Sequence, residues 1–439
     1  MKRLSGWDAS LLYGETPNVH MHTLKIAIID PSDIGGFTVD QFRDTLRRRL
    51  HLLPPLQYRL VDVPLQLHHP LWLENCPVDL DYHVRERVLA GAAGRRELDD
   101  AIGEIASVPL DRDKPLWEFT FVEGLVGGRI AVVGKVHHAL ADGVASGNLL
   151  ARATERASNA PSEREPHTPD ALPTNGQLIR GAFADHARQV TDVPALVRDS
   201  SRGLRRVRRT RGERPEGLAK PFDPPPTFMN HVLTPGRRFS STSMPLGDVR
   251  EIAKTLGLKL NDVVLGLAAG ALRRALIVHD GNADRPLIVS VPVSLDTSPE
   301  RISGNRLSTL FVSLPVDVDD AEQRCRVAHQ ASTLAKDAHE RLGPELMSDW
   351  LDFLPPAVGR RGLGRLSRRS RRSQLMNLPV SNVKGPSDRR YVLGAPITEL
   401  YSVGPLSAGC AVNLTVWSYV DQLNFSMLVD SDTLGNPAR

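Results

Sequence analysis

A strand, two histidines and a turn, in that order, constrain the fold of this chain more than any other feature. The run at residues 130–136 is apolar, rich in valine and isoleucine and preceded by two glycines, which is typical of a buried β-strand. His137 and His138 follow it directly, and a tight turn at Asp142 and Gly143 leads into a helix-compatible segment. The pattern predicts a titratable side chain mounted at the end of a core strand, a position that suits catalysis.

The two histidines are expected to play different parts. Adjacent side chains of a strand point to opposite faces, so His137 and His138 cannot both reach one reacting atom. An imidazole, with an ordinary pKa of about 6.5, suits proton transfer near neutral pH. Zinc is a weaker interpretation, because the two side chains diverge and no third histidine or cysteine stands nearby at ligand spacing. The alternative is that both histidines are structural.

Several segments, taken in order, resemble one known family. The segment at 137–143 (HHALADG) matches the HHxxxDG motif of CoA-dependent acyltransferases and nonribosomal peptide condensation domains. The other segments make the chain similar to the bacterial wax ester synthase/diacylglycerol acyltransferases. They are 4–10 (LSGWDAS), 15–17 (ETP), 109–112 (PLDR), 115–118 (PLWE), 261–265 (NDVVL), 292–294 (PVS), 304–305 (GN) and 381–386 (SNVKGP). Lys384 departs from the family, which more often has proline there, but it lies outside the catalytic motif.

The resemblance implies a fold and a division of the chain. The implied class is α/β, an α+β sandwich of two chloramphenicol-acetyltransferase-like domains with the active site at their interface. We predict an N-terminal acyltransferase domain at 1–156, which carries HHxxxDG. An interdomain connection is predicted at 157–226, where proline, serine, glutamate and arginine become frequent. A C-terminal acyltransferase-like domain is predicted at 227–439.

The resemblance also implies an activity. A long-chain fatty acyl group would pass from acyl-CoA to diacylglycerol, giving triacylglycerol, or to a long-chain alcohol, giving a wax ester. His138 would deprotonate the acceptor hydroxyl for direct attack on the thioester. No cofactor and no acyl-enzyme are expected, in agreement with the lack of a cysteine or G-x-S-x-G nucleophile motif. His137 would support the site, and Asp142 would hold the loop through an arginine or backbone contact rather than relay charge.

Two alternatives to this activity remain open at this point. The same chemistry could act on another hydroxyl acceptor, for instance on a polyketide or a sugar. A family member could also bind lipid or acyl-CoA without turnover, although the intact His138 and Asp142 argue against a degenerate protein.

Further residues are candidates for substrate binding or structural support. They are Gly143, Pro115, Leu116, Trp117, Glu118, Asn261, Asp262, Ser381 and Asn382. Gly143 would allow a close approach or a positive φ. Asn261 and Asp262 would either donate to substrate or oxyanion, or cap a helix. The segment 115–118 would shape a substrate channel, or Trp117 would be core and Glu118 would pair with an arginine.

The composition favours an intracellular protein of two domains. A chain of 439 residues can bury two substantial cores. No run of 18 apolar residues occurs, and no apolar segment follows Lys2 and Arg3, so neither a transmembrane helix nor a signal peptide is predicted. Cys76, Cys325 and Cys410 are odd in number and far apart, which favours buried thiols and a reducing cytoplasm.

Arginine-rich segments at 198–214 and 360–372 stand out against a net charge of only +4. Such segments are usually solvated, but they can also hold nucleic acid, membrane headgroups or the phosphates of CoA. Nucleic acid is the weakest of these, because no interleaved aromatic residues accompany the arginines. With interspersed leucines and valine, the segments are compatible with peripheral contact with the inner membrane face or with lipid inclusions.

Apolar periodicity predicts the main secondary structure elements. Strands are expected at 24–30, 120–122, 129–136, 287–293, 308–314, 411–419 and 422–429. Helices are expected at 38–52, 176–196 and 246–255, together with a long apolar helix for which Asn261 would be the N-cap.

Overall fold

The computed structural model describes residues 1–154, 170–209, 217–220, 222–366 and 374–433. Within these ranges the β-strands are β1 (Lys2–Arg3), β2 (His22–Ile29), β3 (Arg59–Val61), β4 (Leu71–Leu73), β5 (Val84–Ala93), β6 (Trp117–Leu125), β7 (Ile130–His137), β8 (Arg237–Pro245), β9 (Leu287–Ser294), β10 (Leu307–Leu314), β11 (Leu378–Lys384), β12 (Tyr391–Val392), β13 (Ala395–Val403), β14 (Val412–Tyr419) and β15 (Gln422–Asp430).

The α-helices of the same ranges connect and cover these strands. They are α1 (Gly6–Gly14), α2 (Val39–Arg49), α3 (Leu80–His83), α4 (Arg95–Ser107), α5 (Gly143–Ala153), α6 (Asn175–Arg209), α7 (Leu246–Leu256), α8 (Leu260–Asp280), α9 (Ala321–Leu342), α10 (Leu346–Asp352) and α11 (Pro356–Leu366).

Two six-stranded sheets form the centre of the molecule. The first has the order β12-β13-β2-β7-β6-β5 and the second the order β10-β9-β11-β14-β15-β8, while β1, β4 and β3 make a small third sheet. Both large sheets are mixed: β5 runs parallel to β6, and β11 runs parallel to both β9 and β14. This confirms the predicted α/β class with two sheets.

The first sheet is built from both halves of the chain. β13 pairs antiparallel with β2, with Leu400 opposite Ala27 and Ser402 opposite Lys25. Residues from the last part of the chain therefore complete the N-terminal sheet. The division into 1–156, 157–226 and 227–439 stays a prediction. Two strands that lie within 227–439, β12 and β13, belong to the sheet formed by strands of 1–156.

Helices cover the two faces of the first sheet differently. On one face Leu98 and Ile102 of α4 pack against alternate residues of β2 and β7, such as Ile26 and Val133. The other face looks toward α2 and α5, which contribute Leu46 and Leu149 to its surroundings. Because side chains alternate along a strand, consecutive residues of β7 face these two different environments.

The predicted elements are largely confirmed, with two corrections. All seven predicted strands exist, as β2, β6, β7, β9, β10, β14 and β15. Asn261 is not the N-cap of α8: Lys259 holds that position, and the Asp262 carboxylate accepts from its backbone N–H at 3.1 Å. The helix predicted at 176–196 continues as α6 to Arg209, because Pro194 lies within it without ending it.

Neither a membrane-spanning helix nor a disulfide is found among the residues that the structure describes. Among the residues that the structure describes, no single helix is long and apolar enough to cross a membrane; α7 and α8 meet the criterion only as a pair, bent by 105°. Cys76, Cys325 and Cys410 are all buried and carry free thiols.

Candidate active site

A cavity lies on the α2 and α5 face of the first sheet. Its volume is about 120 Å³, and its lining is mostly aliphatic and aromatic. Val132, Gly134 and Val136 of β7 all contribute to this lining. His138 follows in the same alternation, just beyond the end of the strand. We call this space the sheet–helix cavity.

His137 faces the opposite side, with one ring nitrogen hydrogen-bonded and the other near a carboxylate. Its side chain is 1% exposed. The backbone N–H of Ala139 donates to His137 Nδ1 at 3.1 Å, which places the proton of the neutral ring on Nε2. That nitrogen lies 3.6 Å from Oε1 of Glu15. His137 is therefore part of a buried polar network and does not face the sheet–helix cavity.

Glu15 is the centre of that network. Arg112 donates to its carboxylate from both Nε and Nη2, at 2.9 and 2.6 Å. Burial raises the pKa of Glu15, but the hydrogen bonds and charges of His137 and Arg112 outweigh it and hold the pKa well below its usual range. The carboxylate is thus ionised at neutral pH, and it stabilises the end of β7 through its contact with His137.

His138 is positioned through its backbone, while its ring has few partners. Its N–H donates to the carbonyl of Met21 at 2.7 Å, and its carbonyl accepts from Asn305 Nδ2 at 2.7 Å. The side chain is half-buried, and within the described residues no other side chain hydrogen-bonds its ring. Burial lowers the pKa of His138, while the ring's interaction with its own carbonyl acts in the opposite direction. The imidazole is therefore neutral at pH 7 and able to accept a proton.

Asp142 is occupied by partners other than His138. The guanidinium of Arg301 lies 2.9 Å from Oδ2 and 3.0 Å from Oδ1 of its carboxylate. The backbone N–H groups of Ala145, in the first turn of α5, and of Arg306 also donate to it, at 2.9 and 3.0 Å. The side chain is 2% exposed. Asp142 thus caps α5 and ties the histidine loop to the segment around residue 301.

The same loop is tied a second time through Asp8 of α1. Asn305 donates to the Asp8 carboxylate from its side chain at 2.7 Å and from its backbone at 3.1 Å. Burial raises the pKa of Asp8 to about 6, although the hydrogen bonds from Asn305 lower it. Gly304 N–H also donates to the carbonyl of Leu140 at 2.7 Å. Segments from both halves of the chain therefore fix the backbone of His138.

Gly143 opens α5 at a point of close approach. A Cβ built there would lie 3.1 Å from Cγ2 of Val383, in β11 of the second sheet. Its φ is not in the left-handed region. The close approach, rather than a positive φ, is the reason for glycine at this position.

Residues 115–118 support the strand end from within the core. Leu116 and Trp117 are fully buried, and the Trp117 indole stacks on His83 with ring centroids 4.2 Å apart. Glu118 pairs with Lys135 at 3.0 Å and with Arg85 at 3.1 Å. Pro115 is buried as well, and none of the four residues lines the sheet–helix cavity.

Two of the remaining candidates meet where α8 approaches β11. Asn382 Nδ2 donates to Asn261 Oδ1 at 3.3 Å, so these two candidates lie together. Ser381, also in β11, is half-buried and lies opposite Thr415 in β14. Asp262 is 1% exposed. Its carboxylate is hydrogen-bonded to His329 Nδ1 at 2.8 Å and accepts from Ser332 Oγ at 3.1 Å. Asp262 is therefore a structural carboxylate of the second half.

Several residues of this site lie in the segments that resemble the family, but no role was predicted for them. Asp8, Glu15, Arg112 and Asn305 all lie in the motif segments, and each of them contacts the histidine loop or its support. The signal that could have found them was the collinearity of short motifs with charged or amide side chains. Arg301 stands outside every quoted motif, and only the folded chain brings it to Asp142.

Comparison with protein families matches most of the chain. The model described as "Wax ester synthase/diacylglycerol acyltransferase catalytic domain" matches residues 4–264, and the "WS/DGAT C-terminal domain" matches residues 303–439. A Mycobacterium tuberculosis (strain H37Rv) protein with the provisional name diacylglycerol O-acyltransferase is 55% identical over 438 residues, which cover 100% of this chain and 93% of the relative. The O-acyltransferase WSD of Acinetobacter baylyi is 31% identical over 376 residues, covering 84% and 80%.

Solved structures with the same architecture include an enzyme and a condensation domain. The wax ester synthase/diacylglycerol acyltransferase from Marinobacter aquaeolei VT8 superposes with a TM-score of 0.68 at 25% identity, covering 99% of this chain and 94% of that one. The first condensation domain of the CDA synthetase gives a TM-score of 0.58 at 17% identity, covering 100% and 91%, which shows the fold alone. The predicted chloramphenicol-acetyltransferase-like fold is thereby confirmed. With both family models matched, the chain belongs to the wax ester synthase/diacylglycerol acyltransferase family and is an acyltransferase of that type.

Proposed function

We propose that the protein transfers a long-chain fatty acyl group from acyl-CoA to the hydroxyl of diacylglycerol or of a long-chain alcohol, with His138 as the general base. The observation that carries the proposal is the position of His138, at the end of a row of residues that line an apolar cavity. Burial favours the neutral form of its imidazole, and its ring lacks a side-chain hydrogen-bond partner within the described residues. Such a group is poised to exchange a proton with a substrate.

The proposed reaction needs no covalent enzyme intermediate. Nδ1 of His138 is the buried nitrogen, so Nε2 is the one that a substrate can reach. Nε2 takes the proton of the acceptor hydroxyl while its oxygen attacks the thioester carbonyl. When the tetrahedral intermediate collapses, the carbon–sulfur bond breaks and the imidazolium returns the proton to the CoA sulfur. A positioned base of this kind contributes roughly 10²–10⁴-fold to the rate.

In this proposal His137, Asp142 and Gly143 position the base. The carboxylate of Asp142 is filled by Arg301 and by two backbone N–H groups, which leaves it structural rather than part of a dyad with His138. His137 keeps the strand end in place through Glu15. A residue that fixes the geometry of a base matters because small displacements of reacting groups strongly reduce rates.

The sheet–helix cavity is the proposed site of the acyl chain. Its walls include Ala27, Leu53 and Leu149, and its volume of about 120 Å³ holds only part of a long chain, since a cavity of about 150 Å³ binds benzene. The rest of the chain must lie outside this space or part α2 from α5. Filling the cavity should therefore change chain-length preference.

A substitution pair on β2 tests the acyl site. Ala27→Leu places three additional carbons on the cavity wall, and Ile28→Leu is the matched change on the opposite face of the same strand. Ala27→Leu should shift preference from palmitoyl-CoA toward shorter acyl-CoA, because its side chain occupies cavity volume. Unchanged chain-length preference in Ala27→Leu, measured as kcat/KM ratios, would contradict this assignment.

A lipid surface is proposed on the outer side of α6. Phe183, Val190, Val197 and Leu204 follow one another at seven-residue spacing and so share one face. They are between 46% and 69% exposed. A neighbouring face of α6, which carries Ala182 and Leu196, is buried against the molecule. A helix that carries a second, exposed apolar stripe is suited to lie on a membrane surface.

Charge and a neighbouring aromatic residue support an anionic phospholipid surface as the partner. Arg198, Arg202 and Arg205 are exposed beside the stripe. Trp350 of α10 is 47% exposed, and its indole N–H donates to Ser200 Oγ of α6 at 2.9 Å. Arg211 and residues 367–373 of the predicted arginine segments lie outside the described residues.

Vesicle flotation tests this surface. The wild-type protein should float with vesicles that contain phosphatidylglycerol, and Val190→Glu/Val197→Glu should not, because two carboxylates then face the lipid. Val88→Glu, at an apolar position on β5 that is 68% exposed, is the matched control. Flotation of the double variant to the same extent as the wild type would refute the proposal.

Turnover of labelled palmitoyl-CoA tests the proposed activity. Dioleoylglycerol and hexadecanol are offered separately, with His138→Ala as the control. Triacylglycerol or wax ester that forms with the wild type and not with His138→Ala supports the proposal and ranks the acceptors. Acyl-CoA binding without product from either acceptor would refute it in favour of another hydroxyl acceptor or a binding role.

A further inference from the structure

The charged residues that line the sheet–helix cavity are all cations. Among its lining residues are two cations, Lys25 and Arg49, and no carboxylate. The other polar lining groups are hydroxyls, such as Ser146 and Thr154. An apolar space with cationic side chains and no acid at its wall is suited to an apolar ligand that carries a negative charge.

Arg49 is hydrogen-bonded to the backbone at the end of α5. Its guanidinium donates to the backbone carbonyls of Arg152 and Ala153, at the end of α5, at 3.3 and 3.4 Å. A guanidinium at a helix C-terminus also interacts favourably with the helix dipole. The charge of Arg49 therefore has a structural use.

Lys25 has no comparable partner. Its ammonium donates to Ser402 Oγ at 2.5 Å and lies 4.3 Å from the ring centroid of Trp417. Within the described residues no carboxylate forms an ion pair with it. Burial lowers the pKa of Lys25 to about 7, with a smaller opposing effect from the charge of Asp142. A buried ammonium of this kind gains most from an added anion.

The charged groups that face Lys25 do not supply that anion. Asp142 is the acid whose field reaches it, and this carboxylate is already paired with Arg301. The positive charge of Lys25 helps to lower the pKa of His138, so the neighbouring imidazole supplies no counter-charge either. Arg49 adds a second positive charge to the same wall. The local field therefore favours an anionic ligand.

We infer that the sheet–helix cavity binds a free fatty acid, with its carboxylate on the Lys25 ammonium and its alkyl chain against the aliphatic wall. The inference rests on the proposed acyl site and adds to it a second ligand class, the ionised acid that thioester hydrolysis releases. The carboxylate would replace the missing counter-charge of Lys25 without displacing Ser402 or Trp417 from its other sides.

Binding of decanoate and 1-decanol tests the inference, because the two ligands share a chain length and differ in charge. Affinities are measured by calorimetry without acyl-CoA, for the wild type and for Lys25→Met. Lys25→Met should weaken decanoate binding by about tenfold to a hundredfold, the range expected for a charge-assisted hydrogen bond. The affinity for 1-decanol should stay unchanged, which also shows that the variant is folded.

The pH dependence of the wild type gives a second measurement that needs no variant. Lys25 must be protonated to bind the acid, so decanoate affinity should fall about tenfold from pH 6 to pH 8 for a group that titrates near 7. The same series in Lys25→Met reports any contribution of His138. Equal binding of decanoate by the wild type and Lys25→Met, or equal binding at both pH values, would overturn the inference. Palmitoyl-CoA turnover is measured separately, so failure of the proposed activity is distinguishable from failure of the acid site.

Discussion

The two histidines at the end of β7 differ in the groups that surround their rings. On the α4 side, His137 lies beside Glu15 and accepts from Ala139, and Arg112 in turn holds Glu15. On the cavity side, no side chain of the described residues hydrogen-bonds the ring of His138, which interacts with its own carbonyl. A ring held by a hydrogen bond and a neighbouring carboxylate stabilises the fold, whereas a ring without side-chain hydrogen bonds is available to exchange a proton with a substrate. This difference supports the proposal that His137 holds the end of β7 in place and His138 acts as the base.

The largest expected effect is the loss of activity in His138→Gln. Glutamine keeps a polar side chain of similar size but cannot act as the base, so kcat should fall by about 10²–10⁴-fold while the melting temperature stays close to that of the wild type. His137→Gln is the matched control on the other side of the strand. It should lose stability and keep a larger share of the activity. The reverse pattern, with His137→Gln the less active variant, would exchange the two assignments.

A large stability effect is expected at Asp142. Asp142→Ala removes the closer of the two carboxylates that pair with the largely buried Arg301, leaving Asp296 at 3.5 Å, and it removes the cap of α5, so the free energy of unfolding should fall by about 3–5 kcal/mol. Urea denaturation measures it. The double variant Asp142→Ala/Arg301→Leu removes both charges and should recover part of the loss. A double variant less stable than the single one would show that the ion pair is not what Asp142 contributes.

A smaller stability effect is expected at Glu15. Glu15→Gln should cost about 1–3 kcal/mol at pH 7, because a buried hydrogen-bonded charge is lost beside Arg112. The pKa of Glu15 is lowered in the folded protein, so its contribution is present above the unfolded value of about 4.3 and is lost as pH falls through the folded value. The difference between wild type and variant should therefore be greatest at neutral pH and shrink in acid. A difference that grows in acid would contradict the network.

The smallest expected effect is a displacement of the pH profile. The pKa of His138 is lowered, so the neutral base persists to lower pH and the acid limb of kcat/KM should have its midpoint below 6.5. Glu15→Gln should leave this midpoint unmoved if His138, and not His137, is the titrating base. If the midpoint of the acid limb shifts in Glu15→Gln, the titrating base would be His137 and not His138.

Local features of the fold could be predicted from the sequence. Strands β7, β9 and β14 carry apolar runs, and the helix after Gly143 follows from the turn that precedes it. β13 was not predicted, and its pairing with β2 joins residues more than 360 positions apart. The N-cap at Asn261 was wrong because two acceptors stand side by side, and only the backbone shows that Asp262 serves the helix start.

The candidate site shows the same division. Its histidines could be found because adjacent polar residues after an apolar strand are conspicuous, and Asp8, Glu15 and Asn305 were at least present in the quoted motifs. Arg301 could not be found, since nothing near it in the chain distinguishes it from the other arginines. Lys25 was equally hidden, because its importance depends on the absence of a carboxylate along the cavity wall.

By itself, the sequence determined the family, the α/β class and the strand that ends in His137 and His138. These depend on patterns within a few residues, which act through local hydrogen bonding and alternate burial. Only the tertiary structure decided which histidine lies beside Glu15, that Asp142 forms an ion pair with Arg301, and that Lys25 lines an apolar cavity. Those properties depend on contacts between distant segments, and a partner brought by packing leaves no mark in the sequence beside it.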